Sequence, residues 1–349
     1  MTSLKQAYSF DDVLIVPQYS DIPSRSECDT TTHLPAMQPM GIPVFAANMD
    51  TICGLKMAHK MHELGGVGII HRYMTPTQTL HLIREWSLNS EWETADWDDI
   101  PRLTVAVGSL AKDRVRIDSV MKLIHEGHPL NICIDIAHGD SRHVIDTLEY
   151  LRKYLPDEWG AIIAGNVCTY EGACRLFDAG AHVVKVGVGG GSACTTRIKT
   201  GCGYPQLAAI SECSDAGPII ADGGIRYYGD AAKALAAGAE AVMIGGMLAG
   251  TDCTPNWSPE SETTEFRGMA SKRAREACSG SDSNAEGVSA QVVTQPEGST
   301  QSVVEALTEG LRSAMAYSAC RTLQEFREKS KLVYVTRATV NENRPHIED

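Results

Sequence analysis

The chain has 349 residues and a formal net charge of -13, with 44 acidic against 31 basic side chains. That balance excludes a general nucleic-acid footprint but leaves room for a local pocket that binds one phosphate. No apolar run approaches the roughly 20 residues of a membrane helix, and Met1-Thr2-Ser3-Leu4-Lys5-Gln6 lacks a signal-peptide core.

Short apolar, Val/Ile/Ala-rich runs alternate with helix-period segments from about residue 44 to 330. Strands are expected at 44–48, 67–71, 103–107, 132–136, 161–165, 183–186, 218–221 and 241–244. Their near-continuous apolarity fits parallel strands buried on both faces. Helices are expected at 54–64, 77–86, 113–126, 141–154, 170–179, 204–214, 229–237 and 303–326. Asp113 and Ser141 are expected to cap two of them. Gly65, Gly180 and Gly238 are expected to end three others through positive φ.

Eight strand–helix units in a row predict an α/β fold, a (β/α)₈ barrel formed by the whole chain. A doubly wound open sheet is the structural alternative. The last unit breaks the rhythm, with about sixty residues between its strand and its helix. This polar segment, about 251–300, is expected to form a mobile flap over the C-terminal barrel face, where barrel active sites lie. Residues 253–265 within it carry no functional reading.

The eleven cysteines are scattered, odd in number and free of C-x-x-C or zinc spacing. Free thiols in a reducing, cytoplasmic setting are expected. His59 and His62 lie three apart on an expected helix, which is a weak metal pattern.

One cysteine stands apart. The strand 183–186 runs directly into Gly187-Val188-Gly189-Gly190-Gly191-Ser192-Ala193-Cys194-Thr195-Thr196-Arg197. Glycines permit positive φ and a close backbone approach to a ligand. A cysteine held in such a loop can act as a nucleophile. A tight turn around an inert thiol is the plainer alternative.

Barrel enzymes often bind phosphate with the loops after the last two strands. Here these carry Asp222-Gly223-Gly224 and Gly245-Gly246-Met247, whose N–H groups could cradle a phosphate, with Ser192 adding a hydroxyl. Asp222 is placed to accept from a ribose hydroxyl, or merely to cap a helix. Asn48, Met49, Asp50 and Asp135 end other strands and face the same end of the barrel.

With these residues in place, the chain resembles the IMP dehydrogenase and GMP reductase family along nearly its whole length. The resemblance rests on Tyr8-Ser9-Phe10-Asp11-Asp12-Val13-Leu14, Ser24-Arg25-Ser26, Ala46-Ala47-Asn48-Met49-Asp50-Thr51 and Ala164-Gly165-Asn166-Val167. It continues through the cysteine loop, Asp222-Gly223-Gly224, Gly245-Gly246-Met247-Leu248-Ala249-Gly250 and Gly310-Leu311-Arg312-Ser313. The family implies a (β/α)₈ barrel, a purine nucleotide monophosphate, a nicotinamide cofactor and a homotetramer. There is no room for the paired CBS regulatory insertion that dehydrogenases usually carry.

Ala47-Asn48-Met49-Asp50 and the stretch from Cys194 to Tyr204-Pro205-Gln206-Leu207 are reductase-like. The flap segment Lys272-Arg273-Ala274-Arg275-Glu276 lacks the Arg-Tyr pair that activates water in dehydrogenases. Gly66-Val67-Gly68-Ile69-Ile70-His71-Arg72, Gly250-Thr251-Asp252 and Phe266-Arg267-Gly268-Met269 are similar to the dehydrogenases. Asp282 and Ser283 stand where reductases have a Tyr-Arg pair, Gly190 replaces a proline, and Ala316 replaces a glycine.

By resemblance, Cys194 is the nucleophile and Thr196 with Glu286 moves the proton. Asn48, Asp50, Ser192, Asp222, Gly223, Gly224, Gly245, Gly246, Gly268 and Met269 hold the nucleotide. Asp135, Ala137, Asn166 and Arg273 meet the cofactor, NADPH or alternatively NAD. A monovalent cation, K⁺, on the carbonyls of Gly189, Gly191 and Cys194 is a further implication. The leading expectation is reductive deamination of GMP to IMP and ammonia. The alternatives are a dehydrogenase converting IMP to XMP with Arg273 or Arg275 as base, a reductase of a deoxy or modified nucleotide, and a non-catalytic purine-binding barrel.

Overall fold

The computed structural model describes residues 4–88, 101–128, 130–279 and 285–343. Twelve strands lie in these residues: β1 Val13–Ile15, β2 Val44–Ala46, β3 Val67–Ile70, β4 Leu103–Val107, β5 Leu130–Asp135, β6 Ile162–Val167, β7 Val183–Val186, β8 Ile219–Asp222, β9 Ala241–Ile244, β10 Thr263–Arg267, β11 Ser289–Val293 and β12 Leu332–Tyr334. β2 to β9 pair in order, and β9 returns to β2 in parallel, so the eight expected strands close a barrel. Three of them, β4, β7 and β9, have the bounds read from the sequence.

Period-2 alternation sorts each strand between two cores. Val44 and Ala46 face the helices, while Phe45 points inward. Ile162 and Ala164 face outward around an inward Ile163. The interior is filled by Phe45, Ile69, Ala106, Cys133, Ile163, Val183, Ile220 and Met243. Leu34 and Met40, from the segment before β2, join this inner cluster. The same parity places Lys185 inward beside Val183, Asp135 beside Cys133, and Asp222 beside Ile220.

The helices are α1 Leu55–Glu63, α2 Pro76–Ser87, α3 Arg114–His125, α4 Arg142–Tyr154, α5 Tyr170–Asp178, α6 Thr196–Thr200, α7 Gln206–Ser214, α8 Tyr228–Ala236, α9 Lys272–Ser279, α10 Ser299–Tyr317, α11 Leu323–Lys329 and α12 Arg337–Glu342. Gly65, Gly180 and Gly238 follow α1, α5 and α8 with φ of 82, 105 and 113°, as expected.

Several local expectations need correction. The helix expected at 303–326 is two helices, α10 and α11. The chain breaks at Ala319 (φ 57°), and the Thr322 side chain accepts from Glu325 N–H to start α11. Asp113 does not cap α3, because its carboxylate accepts the Leu110 N–H at 3.0 Å. Ser141 does not cap α4 either, and its hydroxyl is buried with no partner among the described residues. His59 and His62 pack on Trp86, with ring centroids 4.5 and 6.3 Å away. No metal-holding group of three His, Cys, Asp or Glu occurs among the described residues. No described helix is long and apolar enough to cross a membrane.

The described part of the long segment after β9 contains a hairpin. β10 pairs antiparallel with β11 from Thr263↔Val293 to Arg267↔Ser289, and α9 lies between them. A second small sheet, β1 with β12, joins the two ends of the chain.

Candidate active site

A cleft of about 310 Å³ opens at the C-terminal ends of the barrel strands. It is lined by the loops after β2, β5, β6, β7, β8 and β9, and by Phe266, Gly268, Met269, Ala270, Glu286 and Gly287 of the hairpin segment. The volume suits a small-molecule site, and its position is the one barrel enzymes use.

Cys194 lies in this cleft, two residues before α6. Its thiol donates to Thr196 Oγ1 at 3.3 Å. Thr196 Oγ1 donates in turn to Glu286 Oε2 at 2.8 Å. A thiol, a hydroxyl and a carboxylate thus form one hydrogen-bonded line across 92 residues of sequence. Backbone bonds hold its two ends together. Thr195 N–H donates to Glu286 O at 2.9 Å, and Val288 N–H to Ala193 O at 2.9 Å. Two glycines permit this close approach. A Cβ on Gly268 would lie 2.7 Å from Ala193 O, and one on Gly287 would lie 2.9 Å from Ser271 N.

The cleft also holds a buried charge cluster. Lys185 is 1% exposed, and its Nζ donates to Asp135 Oδ1 at 2.9 Å and Asp222 Oδ2 at 3.1 Å. Burial opposes the Lys185 charge, but the two carboxylates outweigh it and raise its pKa. Burial likewise works against the Asp135 carboxylate. Lys185, Arg72 and a hydrogen bond from Asn48 reverse this and lower its pKa. Asn166 Nδ2 donates to Asp222 Oδ2 at 2.8 Å and to Gly187 O at 2.9 Å. Asn166 Oδ1 is buried with no partner among the described residues, so it calls for a donor such as an amide N–H. That orphan acceptor fits the carboxamide of a nicotinamide.

Most expected site residues line this cleft: Asn48, Asp135, Ala137, Asn166, Ser192, Cys194, Thr196, Asp222, Gly224, Gly245, Gly246, Gly268, Met269 and Glu286. Three do not. Asp50 is turned to Arg267 of β10, whose Nε bonds Oδ2 at 3.0 Å and whose Nη2 makes a second contact. Gly223 lies beneath the cysteine loop, where an added Cβ would meet Gly191 N at 3.0 Å. Arg273 is an exposed partner of Glu265, at 3.1 Å. Asp282 and Ser283 fall outside the described residues. At the expected cation loop, Gly191 O already accepts the Cys194 N–H. The Arg197 side chain packs against Gly189 and donates to Val188 O, so this loop already has a positive charge at its back. That argues against a second, bound cation there.

Sequence reasoning passed over two groups. Lys185 was visible as the inward position two residues after Val183, a polar residue in an otherwise apolar strand. Arg267 had no local signal, since only the fold brings it to Asp50. The other described cysteines are free, and burial pushes Cys133 and Cys213 up to about 12.

A barrel with a cysteine loop, paired-glycine loops and a carboxylate carried in on a hairpin has the arrangement of a barrel-enzyme site. The family described as "IMP dehydrogenase / GMP reductase domain" matches residues 7–346, and the chain belongs to it. It is 36% identical to the GMP reductase of Vibrio campbellii over 339 residues, covering 93% of this chain and 94% of that one. It is 32% identical to the inosine-5'-monophosphate dehydrogenase of Nitrosopumilus maritimus, with 98% of each covered. That alignment spans 472 positions, so the relative carries inserted segments absent from these 349 residues. A crystal structure of a Trypanosoma brucei GMP reductase is also similar. It is a cysteine-to-alanine variant in complex with guanosine 5'-monophosphate, with a TM-score of 0.88, 26% identity and 99% of each chain covered.

Proposed function

We propose that this oxidoreductase carries out the NADPH-dependent reductive deamination of GMP to IMP and ammonia. The observation that carries the reading is the Cys194–Thr196–Glu286 hydrogen-bonded line on the cleft wall. The thiol's proton passes through Thr196 to the Glu286 carboxylate, leaving the thiolate as nucleophile. The thiolate adds to C2 of the purine. The proton held on Glu286 returns through Thr196 to the C2 amino group, which leaves as ammonia. The base is then held on Cys194 as a thioimidate. Reduced nicotinamide, when bound, supplies a hydride to C2. The C–S bond breaks, and Cys194 leaves as thiolate. Overall, GMP, NADPH and two protons give IMP, NADP⁺ and ammonium.

The chain's own residues also bind. Backbone N–H groups at Gly224, Gly245 and Gly246, with the Ser192 hydroxyl, face the phosphate. Asp222 accepts from the sugar hydroxyls, while Gly268 and Met269 pass over the base. Asp135, Ala137 and Asn166 form the nicotinamide side, with Asn166 Oδ1 accepting from the carboxamide. We further propose a homotetramer in the cytoplasm, where the ten described thiols stay reduced, and a hairpin segment that closes on ligand.

The test is absorbance at 340 nm without oxygen, with NADPH and GMP in one cuvette and NAD⁺ and IMP in another. Loss of absorbance with equal ammonia release is the expected result. A rise with IMP would replace the reading by the dehydrogenase reaction.

A further inference from the structure

We infer that Lys185 is a positioning residue that holds Asp222 as a fixed sugar-hydroxyl acceptor and so sets a preference for a ribonucleotide over its 2′-deoxy form. The inference rests on the proposed sugar role of Asp222.

The argument starts from strand parity. Cys133 and Asp135, Val183 and Lys185, and Ile220 and Asp222 are the inward pairs of β5, β7 and β8. Register links Asp135 to Lys185 through Gly165, and Lys185 pairs with Ile220, the inward position just before Asp222. The C-terminal end of the barrel interior therefore carries a lysine between two carboxylates where aliphatic packing would be ordinary. A lysine buried to this degree is rare unless paired, and stability alone does not require one, since apolar groups fill such layers well.

The hydrogen bonds show what the lysine does. Asp222 Oδ2 takes both inward donors, Lys185 Nζ and Asn166 Nδ2. Asp222 Oδ1 has no hydrogen bond among the described residues, and the residue lines the cleft. One oxygen is thus pinned and the other is left for the ligand. Four further groups face the cluster. Asp135 shares the lysine, Arg72 Nε lies 3.8 Å from Asp135 Oδ2, Asn48 bonds Asp135, and the Cys133 thiol is uncharged. Lys185 is therefore the cation that serves Asp222. Without it, Asp135 and Asp222 would compete for a proton, as carboxylates sharing one buried site do. A protonated Asp222 turns one acceptor oxygen into a donor and loses its preference for a sugar that offers an extra hydroxyl.

The experiment measures Kd for GMP and for its 2′-deoxy form by calorimetry, from about pH 5.5 to about pH 8.5. Taking the ratio cancels the titration of the phosphate itself. Wild type is expected to prefer GMP by about tenfold or more, flat across this range. Lys185→Met is expected to lose about tenfold of that preference at the acid end and to regain only part of it as the pH rises, because Asp222 Oδ2 still lacks its Lys185 bond. Lys185→Arg, which keeps the charge, is expected to restore a flat profile. If Lys185→Met does not fold, Lys185→Met with Asp135→Asn removes the surplus charge. The double variant should show a reduced preference that does not vary with pH.

A folded Lys185→Met or double variant with wild-type preference at every pH overturns the inference while leaving the nucleotide reading intact. Wild type that binds both nucleotides equally overturns the sugar role of Asp222, and this inference with it. Wild type that binds neither overturns the nucleotide reading itself.

Discussion

The two walls of the cleft are held by different physics. The barrel wall, with the cysteine loop and the Asp135–Lys185–Asp222 layer, grows from strands buried on both faces, and its charges neutralise one another in place. The hairpin wall, with Gly268, Met269 and Glu286, reaches the site through backbone bonds and side-chain contacts, among them Tyr73 Oη to Met269 O at 2.7 Å and a half-buried latch, Asp50 to Arg267. Cys194 and the proposed binding groups therefore stand on the barrel, while Glu286, the proton carrier of the proposed reaction, lies on a segment that must dock. The difference separates what binds from what turns over.

The most severe break is expected at the nucleophile. Cys194→Ala should reduce turnover by about 10⁴-fold or more while nucleotide binding persists, read by steady-state rates beside calorimetry. A variant that keeps its rate would remove the cysteine from the chemistry. On the hairpin wall, Glu286→Gln should cost about 10²- to 10⁴-fold in kcat, with little change in nucleotide affinity. An unchanged kcat would mean that the hairpin carries no part of the proton path.

The latch can be tested apart from the chemistry. Arg267→Met leaves the Asp50 carboxylate without its cation and should cost about 3 kcal/mol in urea unfolding. Adding Asp50→Asn should recover much of that stability but not kcat, because Met269 and Glu286 lose their anchor. Full kcat in the folded double variant would show that the backbone bonds suffice to dock the hairpin.

The smallest effect concerns His71, beside the latch. Burial lowers its pKa to about 4, with Arg116 and Arg267 adding to the shift and Asp50 opposing it. Tyr73 N–H donates to its Nδ1 at 3.2 Å, as the neutral ring requires. The unfolded chain binds this proton first, so stability falls as the pH drops from about 6.5 towards 4. At about pH 5 the loss is on the order of 1–2 kcal/mol. His71→Gln should lack this share of the acid sensitivity, read as a smaller Tm difference between pH 5 and pH 7.5 melts. An identical pH dependence in the two proteins would assign the acid loss to other groups.

Much of this was legible beforehand because the signals are local. Apolar runs of four or five residues located all eight barrel strands, and glycines marked the ends of α1, α5 and α8. The cysteine loop announced itself by composition. Three unmet expectations share a cause, which is that a side chain took a partner that no spacing reveals. Asp113 turned back to Leu110, Arg273 to Glu265, and Asp50 away from the cleft to Arg267. The split between α10 and α11 was hidden because apolar periodicity runs on through residues 315–326.

By itself, then, the sequence determined the barrel, the family and the place of the glycine-bracketed cysteine, because hydrophobic period and ordered short motifs are properties of neighbouring residues. Tertiary structure alone decided which carboxylate serves which cation and how Glu286 comes to lie 2.8 Å from Thr196, 90 positions earlier in the chain. Those outcomes depend on barrel closure, strand register and the docking of the hairpin. These set distances in space that sequence separation does not encode.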